Sequence, residues 1–133
     1  MNICIYGASS SIIAGAYINP VEELGARLAK RGHTLVFGGG KYGLMGAAVR
    51  GVKAAGGRAL AVVPEFLASG GIIYEDCDEI VYTDTMRRRK EIMEDRAEAF
   101  IITPGGPGTL DEFFEILTLK QLGRHKKPIA VFN

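Results

Sequence analysis

The residues best suited to chemistry lie in three small-residue turns and at two charged positions. The turns are Gly7-Ala8-Ser9-Ser10-Ser11, Gly38-Gly39-Gly40-Lys41-Tyr42-Gly43 and Pro104-Gly105-Gly106-Pro107-Gly108-Thr109. Small side chains let backbone N–H groups approach a phosphate, and a helix that follows adds the positive end of its dipole. Any one of them is as readily a plain tight turn; three at one edge of a sheet point to a phosphorylated ligand. Gly38 to Gly43 has the form G-x-G-x-x-G, but it follows the second strand-like run rather than the first. No acid closes the next strand at the spacing a dinucleotide site needs, Glu65 lying too far on. The pattern G-x-x-x-x-G-K-[ST] is absent, which argues against triphosphate hydrolysis.

The two charged positions are Glu112 and Arg89. Thr109-Leu110-Asp111-Glu112 has the form of a capping box, with Thr109 as N-cap and Glu112 reaching back to it. A carboxylate in the first turn of a helix, beside a glycine loop, also faces whatever the loop holds. In Arg87-Arg88-Arg89-Lys90, helical spacing offers Arg87 and Arg88 a partner in Glu91, and Lys90 a partner in Glu94. Arg89 has Met86, Ile92 and Met93 as its neighbours instead, which turns it inward. An inward arginine requires an anion, here a ligand or Glu112 across the site.

The elements that must position these residues alternate along the chain. Continuous apolar runs at Ile3–Tyr6, Thr34–Phe37, Ala59–Val63, Ile80–Tyr82, Phe100–Thr103 and Ile129–Phe132 suit parallel strands covered on both faces. Between the first two, a helix is predicted with Asn19 as N-cap, Pro20 in the first helical position and Gly32 as its stop. Further helices are predicted over Leu44–Ala55, Thr85–Glu98 and Leu110–Leu122. The alternation predicts an α/β fold, a Rossmann-like doubly wound sheet, mostly parallel, with helices on both faces. Its ligands belong at the carboxyl ends of the strands. The 133 residues suit one domain, residues 1–133.

Composition narrows the function. Hydrophobic residues are 47%, charged residues 23% and the formal net charge is +1, so nothing draws the chain generally to nucleic acid or to a membrane surface. The N-terminus lacks the pattern of a signal peptide and the apolar runs are far short of a membrane span, which makes a cytoplasmic protein the expectation. Cys4 reads as a small buried hydrophobe, and Cys77 sits among acids that would raise its pKa. His33 and His125 have no partner at metal or triad spacing. Ser9, Ser10 and Ser11 lack a nucleophile-elbow context, so a hydrogen bond to a ligand suits them better than covalent catalysis.

Two motifs at this separation carry a resemblance. Pro104 to Glu112 meets Pro-Gly-Gly-x-Gly-Thr-x-x-Glu in full, and Met86, Arg89 and Lys90 meet an Arg-Lys pair that follows a Met. Together they resemble the Lonely Guy (LOG) family, cytokinin riboside 5′-monophosphate phosphoribohydrolases, many of which bear the older label lysine decarboxylase. The likeness runs over nearly the whole chain, including Gly43-Leu44-Met45-Gly46 and Gln121-Leu122-Gly123 with His125 to Pro128. It implies a Rossmann-like homodimer that hydrolyses the N-glycosidic bond of AMP or its N6-prenylated form, with Arg89 and Glu112 as the catalytic pair. Gly105, Gly106, Gly108 and Thr109 would hold the 5′-phosphate. Met86 and Lys90, with Gly39, Gly40 and Ser10, complete the expected substrate site; no metal and no cofactor are expected.

The chain departs from the family pattern in two places. Arg87 stands where the motif usually has His, at a position that helical spacing places on the surface. Family chains also continue past the point matching Asn133, so C-terminal helices are expected to be missing here. Two other classes compete: a nucleotide or cofactor carrier on the same fold, which would bind without turnover, and the decarboxylase of the older label. The second needs a lysine Schiff base to pyridoxal phosphate, and no lysine is marked for it.

Overall fold

The computed structural model describes residues 1–13 and 15–133. Six strands form one sheet: β1 (Asn2–Tyr6), β2 (Thr34–Phe37), β3 (Arg58–Pro64), β4 (Glu79–Thr83), β5 (Ala99–Ile102) and β6 (Ile129–Val131). Their order is β4-β3-β2-β1-β5-β6, and every pairing is parallel. The helices are α1 (Gly15–Lys30), α2 (Gly43–Ala54), α3 (Met86–Arg96) and α4 (Pro107–Gln121). The chain winds outward from β1 to β4 and then returns to place β5 on the other side of β1. The loops after β1 and β5 therefore part in opposite directions, and a crevice opens between them at the carboxyl edge.

Side chains that alternate along the strands feed two separate cores. Ile5, Leu35, Phe37, Ala59, Ala61 and Val63 pack beneath α1 and α2. Cys4, Tyr6, Val36, Leu60, Val62, Phe100 and Ile102 pack beneath α3 and α4, where they meet Met93, Ala97 and Ile116. Continuous apolar runs are thus explained: both faces of the inner strands are covered. The first core depends on close approach of two helices. A Cβ on Gly25 of α1 would strike the carbonyl of Ala48, and one on Gly51 of α2 would strike the carbonyl of Glu22.

Two helix starts differ from expectation. Pro20 lies inside α1 rather than at its start, because the described helix already runs from Gly15. Proline there leaves the Ala16 carbonyl without its helical donor, which is tolerated because both residues are exposed to water. Helix α4 starts at Pro107, with Gly106 as N-cap. The ring presets the helical φ and its missing N–H costs nothing at that position, so the helix begins before Thr109. Thr109 is then the third helical residue and Glu112 lies in the next turn, so the expected capping box does not form. The β3–β4 connection carries a short 3₁₀ helix, Glu65–Gly70.

Candidate active site

Backbone hydrogen bonds gather the three glycine turns into one wall. Ala8 N–H donates to the Pro104 carbonyl at 3.0 Å, tying the turn after β1 to the turn after β5. The Ala8 carbonyl in turn accepts from Leu44 at 2.8 Å and from Met45 at 3.2 Å, which ties it to the start of α2. Lys41 N–H donates to Ile72 at 2.9 Å and Tyr74 N–H to Gly39 at 2.8 Å, and these bonds fold the segment after the 3₁₀ helix over the turn after β2. A cavity of about 420 Å³ results, a size that suits a ligand as large as a nucleotide.

Of the expected site residues, the cavity wall holds Ser10, Gly40, Met86, Arg89, Lys90, Gly106, Gly108, Thr109 and Glu112. Gly39 and Gly105 stand behind it. Gly39 has φ +87° and packs its backbone on Val63, while a Cβ on Gly105 would strike the Thr109 hydroxyl. Both shape the wall without lining it.

The turns are not equivalent as anion sites. The first amides of α2 are consumed by the Ala8 carbonyl, and the Thr85 hydroxyl caps Arg88 N–H at the start of α3. At α4 the N-cap is a glycine with no side chain to offer, and Pro107 has no N–H. Gly108 and Thr109 therefore hold first-turn amides that lack intrahelical acceptors and border the cavity.

Arg89 is 9% exposed. Its Nε donates to the Val62 carbonyl at 3.0 Å and its Nη2 to the Gly38 carbonyl at 2.7 Å, with Met86 Sδ 3.8 Å from Nη1. The inward orientation agrees with the helical spacing. Of the two anions offered by the sequence, a ligand or Glu112, the second is not paired with it: among the described residues no Arg89–carboxylate contact falls within 4 Å. Main-chain carbonyls at the ends of β2 and β3 meet the guanidinium instead, and Arg89 also lines the cavity. Burial pulls the Arg89 pKa down, and the charge of Glu112 opposes that. Gly38 makes the arrangement possible, since a Cβ there would strike Arg89 Nη2.

Burial pushes the Glu112 carboxyl up to about 7, against the pull of Arg89. A carboxyl poised near neutrality in a cleft is suited to proton transfer or to stabilising a developing cation. The opposite wall is apolar, built from Met45, Val63, Leu67, Ile72 and Ile73.

Residues 45–133 match a family described as "Possible lysine decarboxylase". Over 98% of its length the chain is 45% identical to the cytokinin riboside 5′-monophosphate phosphoribohydrolase of Mycobacterium tuberculosis, of which it covers 70%. It is 40% identical, again over 98%, to the rice enzyme of that name, LOG, and covers 54% of it. The chain belongs to the LOG family. Among solved structures, the molybdenum cofactor carrier protein of Chlamydomonas reinhardtii superposes with a TM-score of 0.80 at 27% identity, over 98% of this chain and 74% of that one.

Within this LOG-family chain, other residues noted earlier lie in structural roles. His125 Nε2 is 2.8 Å from the Ile116 carbonyl, and His33 Nδ1 is 3.1 Å from the N-terminal amine. Cys4 is buried, and Cys77 is pushed up to about 11, by burial more than by its acidic neighbours. Lys90 ignores Glu94 as its ion-pair partner and reaches α4, 3.0 Å from Asp111 and 3.2 Å from Glu115. The sequence pointed to neither Gly38 as the seat of Arg89 nor the apolar wall. Gly38 sat within a flagged turn, but its partner is 51 residues away. Three of the wall residues, Leu67, Ile72 and Ile73, come from the β3–β4 connection, whose path no local pattern fixes. Among the described residues, no cluster of three metal-ligating side chains is placed to hold an ion, and no helix is long and apolar enough to cross a membrane.

Proposed function

We propose that this chain hydrolyses the N-glycosidic bond of a nucleoside 5′-monophosphate, AMP or an N6-prenyl-AMP, to the free base and ribose 5-phosphate. The observation that carries it is the desolvated Glu112 carboxyl, poised near neutrality in the same cavity as the buried Arg89 and the unspent amides of α4. The 5′-phosphate sits on Gly108 and Thr109 at the positive end of α4, in the loop from Gly105. This places C1′ within the cavity, where bond cleavage develops oxocarbenium character on the ribose. Ionised Glu112 stabilises that charge and activates the attacking water. Arg89, immobilised on the ends of two strands, orients the sugar or assists the departing base. The apolar wall with Met86 receives the base and suits a hydrophobic N6 substituent.

The chain acts as a cytoplasmic homodimer in this proposal. The stripe Leu110, Phe114 and Leu117 supports the second copy: these residues follow one another along α4 and are 41 to 56% exposed. A carrier role is the second reading, favoured by the likeness to the molybdenum cofactor carrier.

Incubation with AMP and with isopentenyladenosine monophosphate, followed by chromatography of the released base, tests the assignment. Wild type is expected to release base, and folded Glu112→Gln and Arg89→Ala are expected not to. Binding of AMP without release of base would transfer the protein to the carrier class.

A further inference from the structure

Resemblance places Lys90 at the substrate, but its surroundings point elsewhere. Its side chain is 18% exposed, and two carboxylates on α4, Asp111 and Glu115, already occupy the ammonium at 3.0 and 3.2 Å. These acids stand one turn apart and bracket Glu112. The preceding residue, Arg89, holds the sheet through the carbonyls of Gly38 and Val62. Consecutive residues of α3 thus grip different bodies, one the sheet and the other α4.

A second acid completes the cluster. Glu94, one turn after Lys90, lies near Glu115, whose negative charge raises its pKa. Among the described residues Glu94 Oε1 is buried with no hydrogen-bond donor, and Glu115 Oε2 meets the Lys90 ammonium at 3.2 Å. A buried carboxyl oxygen without a donor, beside a second carboxylate, favours the protonated form of Glu94. Nearby cations do not supply the donor: Lys127 Nζ is spent on the Glu94 main-chain carbonyl at 2.6 Å, and Lys90 already serves two acids. The other charged or titratable groups facing the pair are Asp95 on α3, Asp111 and Glu112 on α4, and Cys4 and Tyr6 on β1.

We propose that Lys90 is a positioning residue: anchored on Asp111 and Glu115, it fixes Glu112 at the cavity, and a proton held by the buried Glu94 carboxyl keeps that anchor closed. This rests on Glu112 as the catalytic carboxylate. Burial and the proximity of Glu115 push the Glu94 carboxyl up to about 8. Below that value the proton is present; above it, adjacent negative charges repel and α4 loosens. Activity then has an acid limb set by Glu112 and a basic limb set by Glu94.

The test measures kcat and KM for base release from AMP between pH 5 and about pH 10, for wild type, Lys90→Met, Lys90→Arg and Glu94→Gln. Thermal melts establish that each variant folds. Lys90→Met is expected to lower kcat about 30-fold with KM within about threefold, and Lys90→Arg to recover part of the loss. Glu94→Gln keeps the neutral-pH rate and shifts the basic limb upward, since glutamine retains the donor and cannot ionise. A raised KM with unchanged kcat in Lys90→Met makes Lys90 a substrate ligand and overturns the proposal, as does an unshifted basic limb in Glu94→Gln. If wild type releases no base, the hydrolase assignment fails on its own, and the anchor is read by NMR of ¹³C-carboxyl-labelled glutamates. A resonance titrating near pH 8 that Glu94→Gln abolishes sustains it, and its absence in wild type overturns it.

Discussion

Where α1 and α2 cover the sheet, packing is dry and close: Gly25 and Gly51 bring the helix backbones together, and Leu44, Ala47, Ala48, Val49 and Val52 are fully buried. Where α3 and α4 cover the other face, Arg89 is buried and Lys90, Glu94, Glu112 and Glu115 are partly buried, and buried polar atoms without a hydrogen-bond partner remain on Tyr6 and Glu94. Helix α4 also turns Leu110, Phe114 and Leu117 toward solvent. One face is built to hold the fold together. The other gives up stability to keep charges desolvated next to a ligand cavity, which is the compromise that reactive sites demand. The contrast also fits the placing of the candidate motifs on α3 and α4, while α2 contributes the backbone of its first turn and the Met45 side chain.

The largest expected effect separates chemistry from stability on the α3–α4 face. Glu112→Gln should lower base release about 10³-fold. Yet it should stabilise the fold at pH 8. The Glu112 carboxyl is raised in the folded state from 4.5 to about 7, so no penalty exists below the lower value. The penalty grows as pH rises through that window and is complete above it, at about 3 kcal/mol. Chemical denaturation of both forms at pH 5 and pH 8 checks the sign: wild type loses stability between them and the variant loses less. Equal losses would mean that the carboxyl is not desolvated.

On the other face the expectation reverses. Gly51→Val should cost about 3 kcal/mol or more by forcing α1 from α2, and urea melts will read it. Whatever fraction stays folded should retain its rate per molecule, and a loss of rate in excess of the loss of fold would erase the division between the faces. Gly38→Ala probes the point where both faces meet the site. It should displace Arg89 and lower kcat about 10²-fold while costing little stability. The smallest effect is expected from Phe114→Gln together with Leu117→Gln. The monomer should change by about 0.5 kcal/mol or less, while light scattering should register a smaller species than wild type if the proposed dimer forms through α4.

Much of this architecture was legible in local pattern. Strand runs were located to within a residue or so at each end, because a strand buried on both faces must be apolar without interruption. Arg89 could be turned inward from its helical neighbours, since a 3.6-residue period relates positions only one turn apart. The three glycine turns announced a site before any contact was known. The errors arose where two local signals competed. Thr109 and Pro107 both offered a helix start, and the proline prevailed through its fixed φ. Glu94 and α4 both offered Lys90 a partner, and the tertiary neighbour prevailed.

By itself, then, the sequence determined the alternation of strands and helices, the parallel sheet that follows from it, and the identity of the residues able to do chemistry. These depend on periodicity and turn chemistry within a few residues. Only the tertiary structure decided what those residues do to one another: that Arg89 rests on carbonyls of β2 and β3, that Glu112 loses enough water to titrate near neutrality, and that Lys90 spans two helices. Desolvation and hydrogen-bond geometry are properties of surfaces brought together from distant parts of the chain, and no local pattern encodes them.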